Sequence, residues 1–175
     1  NLYSVSEFDD TIKAVYNREE YFSDPNHAEG IASFTMVKNG WVRNVTTKNY
    51  AQSHTKITTN SKWVTVENCK SLDMVSPIEG GNRSPFSMGG QLSLVIDCLS
   101  DKGRHNFFVD SRVAGPNAFV DCVATDEKAG SEPHHRWSSG GLFDNVSANI
   151  YVQDRQWMGT GHGWSVANYL LWKTE

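Results

Sequence analysis

Histidine and arginine recur together along this chain of 175 residues in phrases suited to chemistry. GRHNF carries Arg104 and His105, PHHRW carries His134, His135, Arg136 and Trp137, VQDR carries Asp154 and Arg155, and GTGHGW carries His162 and Trp164. Imidazole is the side chain that gains or loses a proton near neutral pH. Guanidinium forks onto carboxylates and hydroxyls, indole offers a flat face to a sugar ring, and glycine lets a bulky ligand approach the backbone. Such a mixture suits a groove for an acidic glycan. In a uronic-acid polymer a base can remove the proton beside the carboxyl group while cations neutralise that carboxyl, so that the chain breaks by β-elimination. His134, His135, His162 and Arg136 are the candidate catalytic residues. Arg104, His105, Trp137, Asp154, Arg155 and Trp164 are the candidate substrate-binding residues, and the residue types do not choose which histidine is the base or which arginine meets the carboxylate.

Other chemistries have weaker support. Glycoside hydrolysis needs two carboxyl groups about 5 to 9.5 Å apart; Asp110, Glu132 and Asp154 lie near the polar phrases, but no two hold matched places. Imidazole ligands from His105, His134, His135 and His162 suggest zinc, yet adjacent residues on a strand point to opposite faces, so at most one of His134 and His135 joins the others. No metal and no cofactor are expected. A histidine ladder without function is the plain alternative, and a non-catalytic glycan-binding or structural surface module would carry the same phrases.

The elements that must position these residues are written in a repeat. WVRNV ending at Val45, VTVENC ending at Cys69, LVIDC ending at Cys98, AFVDC ending at Cys122 and LFDNV ending at Val146 follow one another at intervals of 24, 29, 24 and 24 residues, and a weaker YLLWKT ends 28 residues later at Thr174. Periods of this length mean stacked supersecondary units. Three residues before each ending stand Val42, Val66, Val95, Phe119, Phe143 and Leu171, an apolar column expected to face inward. One residue before stand Asn44, Asn68, Asp97, Asp121 and Asn145, types that tolerate left-handed backbone and suit a bend ladder. Two residues after stand Thr47, Ser71, Ser100, Ala124 and Ala148, all small. β-Branched and aromatic residues between such bends predict about three short strands per coil. The fold expected is all-β, a right-handed parallel β-helix of about six coils over residues 31–175, with residues 1–30 an irregular flanking segment in which EFDDTIKAVYNREEYF offers a short helix.

Composition sets the outer limits. A formal net charge of −4 leaves no basic footprint, so nucleic acid is not an expected partner, and no apolar run is long enough for a membrane span. Cys69, Cys98 and Cys122 share one column, so three buried free thiols are expected in place of a disulfide framework. The chain ends directly after a repeat strand, which suggests that the coils continue in a longer solenoid. Sequons at Asn44, Asn82 and Asn145 match the glycosylation pattern; two of them fall in the bend column and are expected to be inaccessible. Trp41 and Trp63 flank the first two repeat strands and are expected to pack.

The phrases GWVRNVT, VENC, GRHNF, GPNAFVDCVA, PHHRW, VQDR, GTGHGW and ANYLLW together resemble a group of bacterial and fungal proteins of the pectate lyase-like right-handed β-helix superfamily. The resemblance covers about three quarters of the chain. It implies a β-helix and a secreted or cell-surface role on a polysaccharide or oligosaccharide, in a superfamily that hosts lyases, hydrolases, epimerases and non-catalytic fibres. GHG at Gly161–Gly163 looks like one motif of polygalacturonases, whose paired-aspartate and Arg-x-Lys motifs are missing here, as are the calcium-site aspartates of pectate lyases.

Overall fold

The computed structural model describes residues 1–175 and is built almost wholly of short strands. β1 (Leu2–Val5) is followed by the hairpin β2 (Lys13–Tyr16) and β3 (Glu19–Phe22). The first coil is β4 (Ala32–Phe34), β5 (Lys38–Arg43) and β6 (Val45–Lys48), and the second is β7 (Thr55–Ile57), β8 (Lys62–Glu67) and β9 (Lys70–Leu72). The third is β10 (Phe86–Met88), β11 (Ser93–Ile96) and β12 (Leu99–Asp101), and the fourth is β13 (Phe107–Val109), β14 (Ala114–Val120) and β15 (Val123–Thr125). β16 (Glu132–Pro133) and β17 (Ser138–Asp144) form the fifth, and an irregular turn α1 (Met158–Gly161) and β18 (Val166–Trp172) end the sixth.

Every third strand stacks on its predecessor. One parallel sheet runs β1-β6-β9-β12-β15, a second β4-β7-β10-β13-β16 and a third β5-β8-β11-β14-β17-β18, giving a parallel β-helix of about six turns as the repeat requires. Register follows the columns residue for residue: Val42 pairs with Val66, Val66 with Val95, Val95 with Phe119, Phe119 with Phe143 and Phe143 with Leu171. A one-residue slip would turn this row outward, so the apolar pattern specifies the pairing. Phe119 and Phe143 stack with centroids 5.0 Å apart, and Phe86 and Phe107 stack at 5.7 Å. The small column pairs Thr47, Ser71, Ser100 and Ala124. Cys69, Cys98 and Cys122 are buried and free, as expected, with each thiol against a carbonyl of its own coil at 3.2–3.3 Å.

The bend column is left-handed at every member: φ is 57° at Asn44, 48° at Asn68, 53° at Asp97, 50° at Asp121 and 53° at Asn145. Asn68 Nδ2 donates to Asn44 Oδ1 at 2.7 Å, and Asn145 Nδ2 to Asp121 Oδ1 at 2.6 Å. These side chains are exposed, which corrects the expectation that the sequons at Asn44 and Asn145 are inaccessible. A sharp left-handed residue turns its Cβ away from the core, so the ladder forms on the outer surface. A second bend column, Asn49, Asp73, Lys102 and Asp126, has φ of 61°, 47°, 58° and 46° and went unread because lysine carries no bend signal.

The first thirty residues contain strands and no helix. β2 and β3 pair antiparallel around Asn17 and Arg18, both at positive φ, and β1 pairs in parallel with β6. Alternation of exposed and half-buried residues in KAVY matches a strand period, which outweighs the weak helical start signal. Arg83, 2 % exposed, ties the hairpin to the coils by donating from Nη2 to the Phe22 carbonyl at 3.0 Å and from Nε to that of Ser76 at 2.9 Å. Trp41 and Trp63 are exposed, contrary to the packing expected of them, and serve as platforms for Arg43 and Lys62. No helix is long and apolar enough to cross a membrane.

Candidate functional site

The site begins where the second sheet ends. Phe107 and Val109 point into the core, so Phe108 between them faces outward, and its register partner is Glu132 on β16. Strand alternation places His134, two residues on, above the same face as Glu132. The sixth coil then departs from the pattern: in place of another strand of the second sheet, the chain between Tyr151 and Ser165 runs over this face, closed by a bridge between Asp154 and Trp164. That cover leaves Glu132 only 1 % exposed although it lies outside the core.

Histidines from three coils meet there. Ring centroids of His105 and His134 are 5.0 Å apart, those of His134 and His162 5.0 Å, those of His134 and His135 4.9 Å and those of His135 and His162 4.6 Å. The expected convergence is present, but not as one in-register column: His105 precedes β13, His134 follows β16, and His162 comes from the glycine-rich turn. The pair His134 and His135 both contribute, although a regular strand would send them to opposite sides. The strand has ended at Pro133, and Arg136 and Trp137 at φ 54° and 58° turn the chain sharply.

Glu132, which residue type alone marks only as a hydrolytic carboxylate, is the hub. Its Oε1 accepts from His134 Nδ1 and from Arg155 Nη1 at 2.8 Å and lies 3.4 Å from His105 Nδ1, while Oε2 accepts from Gln153 Nε2 at 3.1 Å. Burial pushes its pKa up, but the His134 hydrogen bond and the nearby charges of His105, His134 and Arg155 outweigh that and hold it below the usual carboxylate value. A signal for this was available: Glu132 and His134 stand at i and i+2 just before the histidine pair, the same-face spacing of a strand.

Burial lowers the pKa of three neighbouring imidazoles, His105, His135 and His162. His105 is lowered to about 4 chiefly by desolvation. Its Nδ1 lies 2.9 Å from the Gly130 carbonyl, so in the neutral ring Nδ1 carries the proton and Nε2 is a bare lone pair. His135 is also lowered to about 4, first by burial and then by the charges of His134, His162 and Arg136. His162 is lowered by burial and then by Arg155. Side-chain polar atoms buried without a partner include His105 Nε2, His135 Nδ1, His162 Nδ1 and Arg155 Nε. Buried polar groups are normally satisfied, so this concentration sets the cluster apart from the rest of the molecule.

The remaining candidates divide. Arg136 donates from Nη2 to the Thr160 carbonyl at 2.8 Å, tying the fifth coil to the turn, and the Arg136 and Trp137 amides continue the ladder onto His162 and Trp164 at 3.0 Å each. Trp137 and Trp164, 62 % and 42 % exposed, therefore stand at successive coils beside the histidines. Arg104 donates to the Gly80 carbonyl at 2.6 Å and makes no hydrogen bond to the cluster. Asp154 is exposed and caps its own turn by accepting from the Gln156 amide at 2.9 Å.

One atom of each of His105, Glu132 and His134 lies within 4.8 Å of the others, a spacing open to a metal ion. Arg155 Nη1 already stands among them, 2.8 Å from Glu132 Oε1 and 2.6 and 3.0 Å from the two His134 nitrogens. The guanidinium is thus the cation that this carboxylate faces, and Arg104 and Arg136 add positive charge nearby.

No family model, curated protein or solved structure matches the chain. The fold and the arrangement of this cluster therefore rest on the chain's own geometry.

Proposed function

We propose that the chain is a polysaccharide-active β-helix protein that cleaves an acidic, uronic-acid-containing glycan by β-elimination, in keeping with its resemblance to the pectate lyase-like superfamily. The observation that supports this reading most is the approach of His134, His135 and His162 to 4.6–5.0 Å beside Arg136 and Arg155, with Trp137 and Trp164 exposed alongside. A neutral imidazole has one nitrogen able to accept a proton, and neither His135 nor His162 spends its ring on a side-chain hydrogen bond within the protein. In the step envisaged, that nitrogen takes the proton beside the uronate carboxyl. The C–H electrons form the new double bond, and the glycosidic oxygen departs from the β-carbon with a proton from water or a second imidazole. Guanidinium charge stabilises the enolate-like transition state. The same resemblance makes secretion or the cell surface its place of action.

A second reading, a glycan-binding module without turnover, draws support from a different place. A cavity of about 780 Å³ lies away from the histidines, between the β2–β3 hairpin and the second bend column, lined by Tyr16, Tyr21, Phe22, Lys48, Lys102 and Lys128 among others. Hydrolysis is weaker, because both oxygens of Glu132 are occupied within the protein.

Incubation with a panel of uronic-acid polysaccharides, followed by ultraviolet absorbance of the unsaturated product, separates the two. Elimination predicts a signal that His135→Ala lowers by about 10²- to 10⁴-fold, the range for loss of a general base. Binding on a glycan array with no absorbance change from any polymer would instead favour the module.

A further inference from the structure

The sequence offers three arginines for a substrate carboxylate, and their hydrogen bonds distinguish them. Arg104 bonds to the Gly80 carbonyl and Arg136 to Thr160, each through one nitrogen, and neither guanidinium bonds to Glu132 or to a histidine. Arg155 is held from one end: Nη1 is fixed by Glu132 Oε1 at 2.8 Å and by His134 Nε2 at 3.0 Å, while Nε is buried with no acceptor. A guanidinium N–H without an acceptor is costly in a buried place unless a ligand supplies one. The unpartnered Nδ1 atoms of His135 and His162 belong to the same cluster.

We infer that Arg155 is the residue that binds the carboxylate of the ligand through the guanidinium donors that Glu132 leaves free, and that Glu132 is a positioning residue that holds Arg155 and His134 in place. The inference rests on the acidic-glycan reading for the identity of the ligand, but not on turnover. Glu132 suits the role physically. A buried carboxylate that engages Nη1 alone orients the guanidinium without competing for its other donors, and Gln153 and His134 complete the carboxylate's own hydrogen bonds. His105 sits at the back of the network, anchored to the Gly130 carbonyl, where it closes off the far side of Glu132. A planar carboxylate meeting a fixed guanidinium gains a charge-assisted hydrogen bond, which makes the site selective for an acidic over a neutral sugar.

The test is titration of the whole chain with trigalacturonate and triglucuronate, with the carboxyl-reduced neutral trisaccharide as control, read by calorimetry and by the Arg Nε–H resonances in NMR. In the wild type the Arg155 Nε–H signal shifts on saturation with an acidic trisaccharide and stays in place with the neutral one. Arg155→Lys keeps the charge but loses the donor, and Glu132→Gln keeps the shape but loses the anchor. Each weakens binding of the acidic trisaccharide by about 10- to 100-fold, the range for a hydrogen bond to a charged group. An unmoved Arg155 signal at saturation overturns the inference, as does wild-type affinity in a folded Arg155→Lys, and so does failure of both acidic trisaccharides to bind. Binding with the expected signal shift but no unsaturated product keeps the carboxylate site and sinks elimination.

Discussion

The stacked interior and the imidazole cluster are made from the same coils and obey opposite rules. Inside, like sits on like: valine or phenylalanine along one column, cysteine along another, small residues along a third, with neighbours about 4.8 Å apart. At the cluster unlike residues converge from different column positions, and four of the six unpartnered buried polar side-chain atoms belong to His105, His135, Arg155 and His162. One region satisfies itself and the other leaves groups unmet. The difference teaches where stability and the proposed chemistry are divided: stacking needs only repetition, whereas a convergence of unlike side chains needs a break in it, and the break is the replacement of a sixth strand in the second sheet by residues 151–165.

The sharpest way to break the comparison is to damage the stack alone. Phe119→Ala removes a fully buried ring between Val95 and Phe143 and is expected to cost about 3–5 kcal/mol in denaturant unfolding. His135→Ala, by contrast, should leave stability within about 0.5 kcal/mol while removing activity. Equal destabilisation by both substitutions would erase the distinction.

Acid should act on the cluster. An unfolded histidine takes up a proton as pH falls through about 6.5, whereas folded His105 does so only near 4. The unfolded state therefore binds more protons in that window, and stability declines from pH 6.5 to 4, by on the order of 3 kcal/mol for His105. Glu132, held below its usual value, loses its contribution in the same direction as it protonates. Urea midpoints at pH 7 and pH 4.5 measure the decline, and His105→Gln should flatten it. Activity has its own acid limit: with His135 neutral down to about 4, the acid limb of the pH profile should lie near 4 to 5 and not at 6.5.

Gly159 sharpens the comparison at the turn. It sits at φ 58°, and a Cβ there would come within 2.1 Å of His162 Cε1. Gly159→Ala is expected to cost about 1–2 kcal/mol through left-handed strain and to shift the His162 ring signals in NMR, with the core resonances unchanged.

The outer ladder gives an effect of similar size. Asn145→Ala places alanine at φ 53° and removes the hydrogen bond to Asp121, for about 1–2 kcal/mol. Asn145→Gly restores the backbone freedom and should lose only part of this. A glycine variant as unstable as the alanine variant would mean that the side-chain ladder, and not the bend, carries the stability.

Much of the fold was legible because a solenoid converts sequence period into spatial contact. The intervals between Val45, Cys69, Cys98, Cys122 and Val146 determined coil number, the inward column from Val42 to Leu171, the thiol stack and the left-handed bend at Asn44 to Asn145. Each rests on a local preference repeated at the coil spacing, so no long-range information was needed. The outward direction of the bend side chains was misread, because residue type reports backbone tolerance and not where Cβ points. The hairpin Lys13–Phe22 lies outside the repeat, and there the short strand alternation was obscured by helix-start residues.

For the site, the residue types in RHN, PHHRW, VQDR and GTGHGW announced an imidazole and guanidinium surface, and nothing more exact. Only the tertiary structure decided that Glu132 anchors it, that Arg155 faces inward with a free Nε while Arg104 and Arg136 are tied elsewhere, and that His134 and His135 both take part. The physical reason is that these outcomes depend on where the repeat fails. At Pro133 and in the turn at Met158–Gly161, side-chain direction is set by neighbouring coils and by burial beneath a loop, and neither is encoded in the spacing of the residues themselves.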